Sequence, residues 1–243
     1  MAILFASASS QLVAMGSGSG ALNAVSAATL MAWINPTSLP GVINSIVGLS
    51  NGLAAGSSRA KLRVSSTGQL AANGRCLDAD ASQVFSGTAG KITAGTWFHV
   101  AATFDYAAKI IRLYVDGVLD ATSGVLVWGA SPTSATNSLA FNIGSQHGGG
   151  SEFWNGTIDD VRVYSRLLSA NEIATIHAAR GTDAILAGLE HRFQLQEDAP
   201  GVAVSGAGIV KDVSDRKFNG TPGGTTNPTW AESVVRSRRR LVA

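Results

Sequence analysis

Two neighbouring stretches, Gly95 to Asp105 and Ile110 to Leu119, commit the chain to a sheet. Phe98, Val100, Ala102 and Phe104 alternate with other residues along the first, and Ile111, Leu113 and Val115 do so along the second. A period of two puts each set on one face of a half-buried strand. Asp116-Gly117, between Val115 and Val118, is the dipeptide of a two-residue hairpin turn in which both central residues take positive φ. The core is therefore expected to be all-β.

Composition agrees with short strands and turns. Across 243 residues the chain is 45% hydrophobic but only 14% charged, with 28 glycines. This length suits one large sandwich. The single Cys76 excludes an intramolecular disulfide, so burial must hold the fold, and Cys76 reads as a small buried residue. No stretch approaches the roughly 18 apolar residues of a membrane span. Met1 to Phe5 lacks the basic flank of a signal peptide and reads as the start of a first strand, Ala2 to Val13.

Further strands are expected at 29–35, 45–49, 60–65, 69–72, 98–104, 110–115, 139–143 and 156–164. Pro36, Pro40, Asn51-Gly52, Asn73-Gly74, Gly148-Gly149-Gly150 and Asn155-Gly156 punctuate them. Asn155-Gly156-Thr157 and Asn219-Gly220-Thr221 match a glycosylation pattern but read as turns. Strands this frequent favour two packed antiparallel sheets. One short peripheral helix interrupts them. Ser169 caps it, Glu172 completes a capping box, Leu168 and Ile173 form a hydrophobic staple, and Gly181 closes it after Arg180.

Four motifs in order resemble the laminin-G-like, concanavalin A-like jelly-roll family. They are Gly95-x-Trp97-x-His99-Val100-Ala101, Leu113-Tyr114-Val115-Asp116-Gly117, Ile143-Gly144, and the run from Phe153 through Gly156, Ile158-Asp159-Asp160-Val161-Arg162-Val163-Tyr164, Arg166 and Leu168-Ser169 to Glu172-Ile173. The resemblance covers Met1 to Gly181 and implies an antiparallel jelly-roll sandwich spanning 1–235. The family's opening strand is absent from the start. Leu189 to Leu195, followed by Asp212-x-Ser214, Asn219-Gly220-Thr221 and Trp230, is similar to that opening segment. Residues 189–230 are thus expected to supply it as a permuted terminal strand, with 236–243 forming a basic tail.

The fold hosts enzymes and lectins alike, so function must be sought in residues. The Glu-x-Asp-x-x-Glu pattern of the superfamily's glucanases is absent, and Glu152, Glu172, Glu190, Glu197 and Glu232 are scattered, which argues against a catalytic pair. His99, His147, His177 and His191 show no zinc spacing. No cofactor is expected, although the resemblance implies calcium as an option, through Asp159-Asp160 with Asp212 and Asn219. Trp33 and Trp97 match family core positions. Trp128, beside Gly129, and Trp154, beside Asn155, are the aromatic candidates for stacking on a glycan or a protein partner, and His147 is the candidate on a Gly-rich loop.

Arg236, Arg238, Arg239 and Arg240 concentrate charge at the end of the chain, and removing these four from the formal +2 leaves −2. Arg238, Arg239 and Arg240 are therefore candidates for gripping an acidic surface. Chains of this family that are Ala/Gly/Ser-rich and begin without a leader are similar to structural proteins of tailed bacteriophages. The resemblance thus implies a non-enzymatic virion surface protein, folded in the host cytoplasm, with capsid or tail proteins as partners, a homo-oligomeric state and no membrane. A carbohydrate-binding lectin-like module is the alternative.

Overall fold

The structure, a computed structural model, describes residues 1–16, 20–39, 41, 43–50, 58–77, 79–129, 133, 140–146 and 150–234. The strands are β1 (Ala2–Phe5), β2 (Leu12–Ala14), β3 (Ala27–Pro36), β4 (Asn44–Ser50), β5 (Ser58–Val64), β6 (Leu70–Gly74), β7 (Gln83–Ser86), β8 (Phe98–Asp105), β9 (Ile110–Val115), β10 (Val118–Thr122), β11 (Ala140–Ile143), β12 (Gly156–Tyr164), β13 (Leu189–Phe193), β14 (Thr221–Gly223) and β15 (Thr229–Ala231). One α-helix, α1 (Ala170–Ala179), lies between β12 and β13.

These strands form two antiparallel sheets. Sheet A has the order β10-β9-β8-β3-β12-β1-β15, with β13 also on β12, and sheet B the order β14-β2-β11-β4-β5-β6-β7. Between them lies one apolar interior, to which β8 contributes Val100, Ala102 and Phe104 and β9 contributes Ile111, Leu113 and Val115. The Asp116-Gly117 turn joins β9 to β10 with φ of 50° and 77°, as a hairpin of matching twist requires.

The expected first strand is in fact two. A 3-10 turn at Ser7–Ser9 and a left-handed Ser10 break 2–13 into β1 and β2, and the halves join opposite sheets. Ser7, Ser9, Ser10 and Gln11 interrupt the apolar run, and that interruption is the bend that carries the chain across the sandwich. The C-terminal segment returns to the same place: Trp230 on β15 pairs with Ile3, and Phe193 on β13 pairs with Val161. A bulge between Asp159 and Arg162, with Asp160 at φ 39°, divides β12 so that its first half holds β1 and its second half β13.

Helix α1 begins with the full capping box, Ser169 and Glu172 each bonding the other's backbone. Ile173 and Ile176 lie against Met31, Ala101, Tyr114, Tyr164 and Leu168 on the outer face of sheet A. Among the described residues no helix is long and apolar enough to cross a membrane.

Candidate functional site

Alternation along β5 sends Ala60, Leu62 and Val64 into the interior and leaves Lys61 and Arg63 on the outer face of sheet B. Register extends this face sideways, pairing Asn142 of β11 with Gly48 of β4, Gly48 with Lys61, and Lys61 with Asn73 of β6. Opposite the oily interior, then, runs a polar row.

Glu152 comes to this row from the β11–β12 connection. Its φ of 55° is left-handed, and Ser45 N–H donates to its carbonyl at 2.9 Å, which fixes the loop over β4. The carboxylate Oε2 accepts from Ser45 Oγ at 2.5 Å and from Lys61 Nζ at 2.8 Å, while Arg63 stands 4.0 Å from Oε1. Burial alone would raise the Glu152 pKa, but the hydrogen bonds from Lys61 and Ser45 and the two cations outweigh it and hold it below its ordinary value. Burial lowers the pKa of Lys61, against the pull of Glu152. Glu152 is thus an ionised acceptor fixed in place.

It lines a cavity of about 770 Å³ whose other walls are Ser7, Ala8, Gly41, Ile43, Ser65, Ser66, Gly150, Ser151 and Phe153. Four loops meet here, at the ends of β1, β3, β5 and β11. The size falls in the range of small-ligand sites, about 300–1,000 Å³. Hydroxyls from four serines, one carboxylate and the apolar side chains of Ile43 and Phe153 can together hold a polar molecule with an apolar face. A smaller cleft, about 340 Å³, lies beside α1 among Arg112, Tyr114, Leu168, Ser169 and Glu172.

The residues expected from sequence fall elsewhere. Trp128 is 4% exposed and packs on Tyr106 with ring centroids 5.6 Å apart, in a slot kept open by Gly74. Trp154 is 1% exposed and belongs to the interior. Neither ring offers a face to a ligand, because proximity to a glycine or a turn in sequence does not place a side chain at the surface. Trp33 is buried as expected, but Trp97 is only half-buried. His147, Arg238, Arg239 and Arg240 lie outside the described residues. Cys76 is buried, and burial pushes its thiol up to about 11.

The acids named for calcium do not fit a metal. Asp160 accepts from Arg162 and Arg192, and Asp159 from Ser233 and the Asp160 amide. Asp212 accepts from the amides of Arg192, Ser214 and Phe218 and pairs with His191 at 2.7 Å, while the Asn219 side-chain oxygen is taken by the Asp212 amide. Among the described residues no group of three or more His, Cys, Asp or Glu is placed to hold a metal ion. Sequence reasoning missed Ser45, Lys61, Arg63, Ser65, Ser66 and Ser151. Cations at every second position of β5, Arg59, Lys61 and Arg63, were the available signal, since such a strand face calls for an acid from elsewhere.

A two-sheet jelly roll with a loop-built cavity at one end defines a class of lectin-like folds. Residues 8–174 match the laminin-G-like family model described as the concanavalin A-like lectin/glucanases superfamily, and the chain belongs to that family. Among curated proteins, none matches in sequence. Solved structures share the fold. A candidate carbohydrate binding protein of Bacteroides ovatus ATCC 8483 aligns with TM-score 0.66 and 22% identity over 97% of this chain and 61% of that one. A heptameric SAP-like pentraxin of Limulus polyphemus gives 0.53 and 21% over 70% and 76%. The CBM40 module of a Ruminococcus gnavus IT-sialidase, bound to α2,3-sialyllactose, gives 0.52 and 21% over 63% and 84%. The chain spans 61% of the length of the Bacteroides ovatus protein.

Proposed function

We propose that the chain is a non-enzymatic carbohydrate-binding, lectin-like module whose ligand occupies the loop cavity beside Glu152. The observation that carries this reading is the cavity itself: a fixed, ionised carboxylate and serine hydroxyls facing the apolar side chains of Ile43 and Phe153. Sugars need this mixture, because they present hydroxyl groups on their rim and C–H groups on their faces. The Bacteroides ovatus protein and the CBM40 module, both tied by name to carbohydrate, lend support at the level of fold.

Glycoside cleavage requires two carboxyl groups across the bond. Among the described lining residues Glu152 is the one acid, and its neighbours are cations. The virion role, capsid or tail partners and a homo-oligomer, expected from the family resemblance, draw no support from the fold or its relatives, so the carbohydrate reading stands ahead of them. Residues 189–230 are read as filling the place of the family's opening strand, supported by the pairing of Trp230 with Ile3 and of Phe193 with Val161.

A glycan array followed by calorimetry on the hits tests the function. Saturable binding that is lost when Ser151→Trp fills the cavity, with no sugar released on incubation, is the expected result. Binding undiminished in Ser151→Trp would move the site elsewhere, and an array without hits would overturn the reading.

A further inference from the structure

Helix α1 covers only part of the outer face of sheet A. Beside its first turn a cleft of about 340 Å³ stays open over β8 and β9. Ala102 and Phe104 of β8 and Ile111 and Leu113 of β9 point into the interior, so Thr103, Arg112 and Tyr114 point outward into the cleft that they line. Thr103 and Arg112 stand directly opposite one another across the two strands, and Tyr114 follows two positions along the same face.

None of these three polar groups is used by the protein. Thr103 is 2% exposed and Tyr114 5%, yet neither hydroxyl makes a hydrogen bond among the described residues, and neither is sealed off from the cleft. Arg112, half-buried, makes no hydrogen bond or ion pair among them either. Burial raises the Tyr114 pKa and the Arg112 charge opposes that rise, as a guanidinium beside the hydroxyl must. Donors that have lost most of their water without gaining an acceptor are costly, and an acceptor that reaches them is held firmly.

Glu172 is the acid on the wall formed by α1, and it is already engaged. Arg166 Nη2 bonds its Oε1 at 2.6 Å, and Arg166 Nη1, Ser169 N–H and Ser169 Oγ bond its Oε2 at 3.0, 2.8 and 3.0 Å. The charge left uncompensated in the cleft is therefore that of Arg112. A planar, two-pronged guanidinium matches one carboxylate, and the two hydroxyls beside it supply further donors. Leu167, Leu168 and Ala170 line the rest and suit the apolar body of such an acid. We propose that this cleft is a second ligand site, in which Arg112, Tyr114 and Thr103 hold the carboxylate of a small organic acid. A dianion such as phosphate brings a second negative charge that no free cation of the wall cancels. The site does not depend on the carbohydrate reading.

Calorimetry on the intact chain tests it with sodium benzoate, with benzamide as the uncharged counterpart, and with inorganic phosphate. The expected result is saturable binding of benzoate, weaker binding of phosphate and none of benzamide. Arg112→Gln is expected to weaken benzoate about ten- to a hundred-fold, as loss of a hydrogen bond between charged groups predicts, and Tyr114→Phe about two- to ten-fold. Neither variant removes a hydrogen bond made within the described residues, so both are expected to keep the wild-type urea midpoint. Ser151→Trp, which fills the Glu152 cavity, is expected to bind benzoate as the wild type does. Benzoate affinity that is unchanged in Arg112→Gln, matched by benzamide or lost in Ser151→Trp would overturn the site. Phosphate held more tightly than benzoate, and through Arg112, would overturn the carboxylate class alone. Binding of neither anion would overturn both and leave the sugar reading standing.

Discussion

On the outer face of sheet A the side chains of Met31, Ala101, Tyr114 and Tyr164 lie under α1, and Arg162 beside them bridges Asp160 and Asp183, although Trp33 Nε1 and His99 Nδ1 find no partner. Across the sandwich, the outer face of sheet B carries Lys61, Arg63 and Asn73, where Arg63 donates no hydrogen bond among the described residues and Asn73 Oδ1 accepts none. Both faces arise from the same alternation of side chains. One is covered by the chain's own helix and tied by buried ion pairs, and the other carries the polar row that leads to Glu152. The fold thus spends one outer surface on holding itself together, while the cavity proposed to bind sugar adjoins the other.

The largest expected effect lies on the closed face. Arg162 is 1% exposed and bonds Asp160 at 2.6 and 3.1 Å and Asp183 at 2.8 Å. Arg162→Met leaves both acids without their shared cation, and breaking a buried pair in this way costs about 3–5 kcal/mol. Urea unfolding at neutral pH measures this loss. A cost below about 1 kcal/mol would mean that the closed face is no more committed to stability than the open one.

A pH effect of intermediate size comes from the same face. His99, 1% exposed, lies tilted against both Trp33 and His177, with ring centroids 5.3 and 5.8 Å away, and its Nδ1 has no hydrogen-bond partner. Burial first, then the charges of His177 and Arg162, lower its pKa to about 3, against the opposing pull of Asp160 and Asp183. The unfolded chain binds a proton near pH 6.5 that the folded chain refuses until about pH 3. Stability from this group is therefore complete above pH 6.5 and falls as the medium is acidified, by up to about 1.4 kcal/mol per pH unit. His99→Phe removes that slope. Urea midpoints compared between pH 7 and 5 check it, and parallel acid losses in variant and wild type would contradict it.

Much of the closed face was legible because its signals are local. The alternation of 98–104, the Asp116-Gly117 turn and the Ser169–Glu172 box each lie within a few residues, and each formed as read. Burial of Trp128 was not legible, since the slot it fills is made by Gly74, far back in the chain. The split of 2–13 turned on Ser10 taking a left-handed conformation, which no pattern of apolar residues announces. The candidate site is less local still: Glu152 meets Ser45 across 107 positions and Lys61 across 91. Alternation along β5 was the signal that would have put the cations on one strand face, but nothing local says which acid would come to them.

The smallest expected effect belongs to the open face. Asn73 pairs with Lys61 across β5 and β6 and is 7% exposed, yet its Oδ1 finds no donor. A buried acceptor without a partner loses its water and gains nothing in return, so removing it costs little. Asn73→Ala is expected to change stability by less than about 1 kcal/mol in either direction, because relief of the orphaned oxygen offsets the lost side-chain contacts. Thermal melts of Asn73→Ala and Arg162→Met, run side by side, measure the contrast between the faces directly. A loss for Asn73→Ala approaching that for Arg162→Met would show that sheet B's outer polar row is structural, and the contrast between the two faces would go with it.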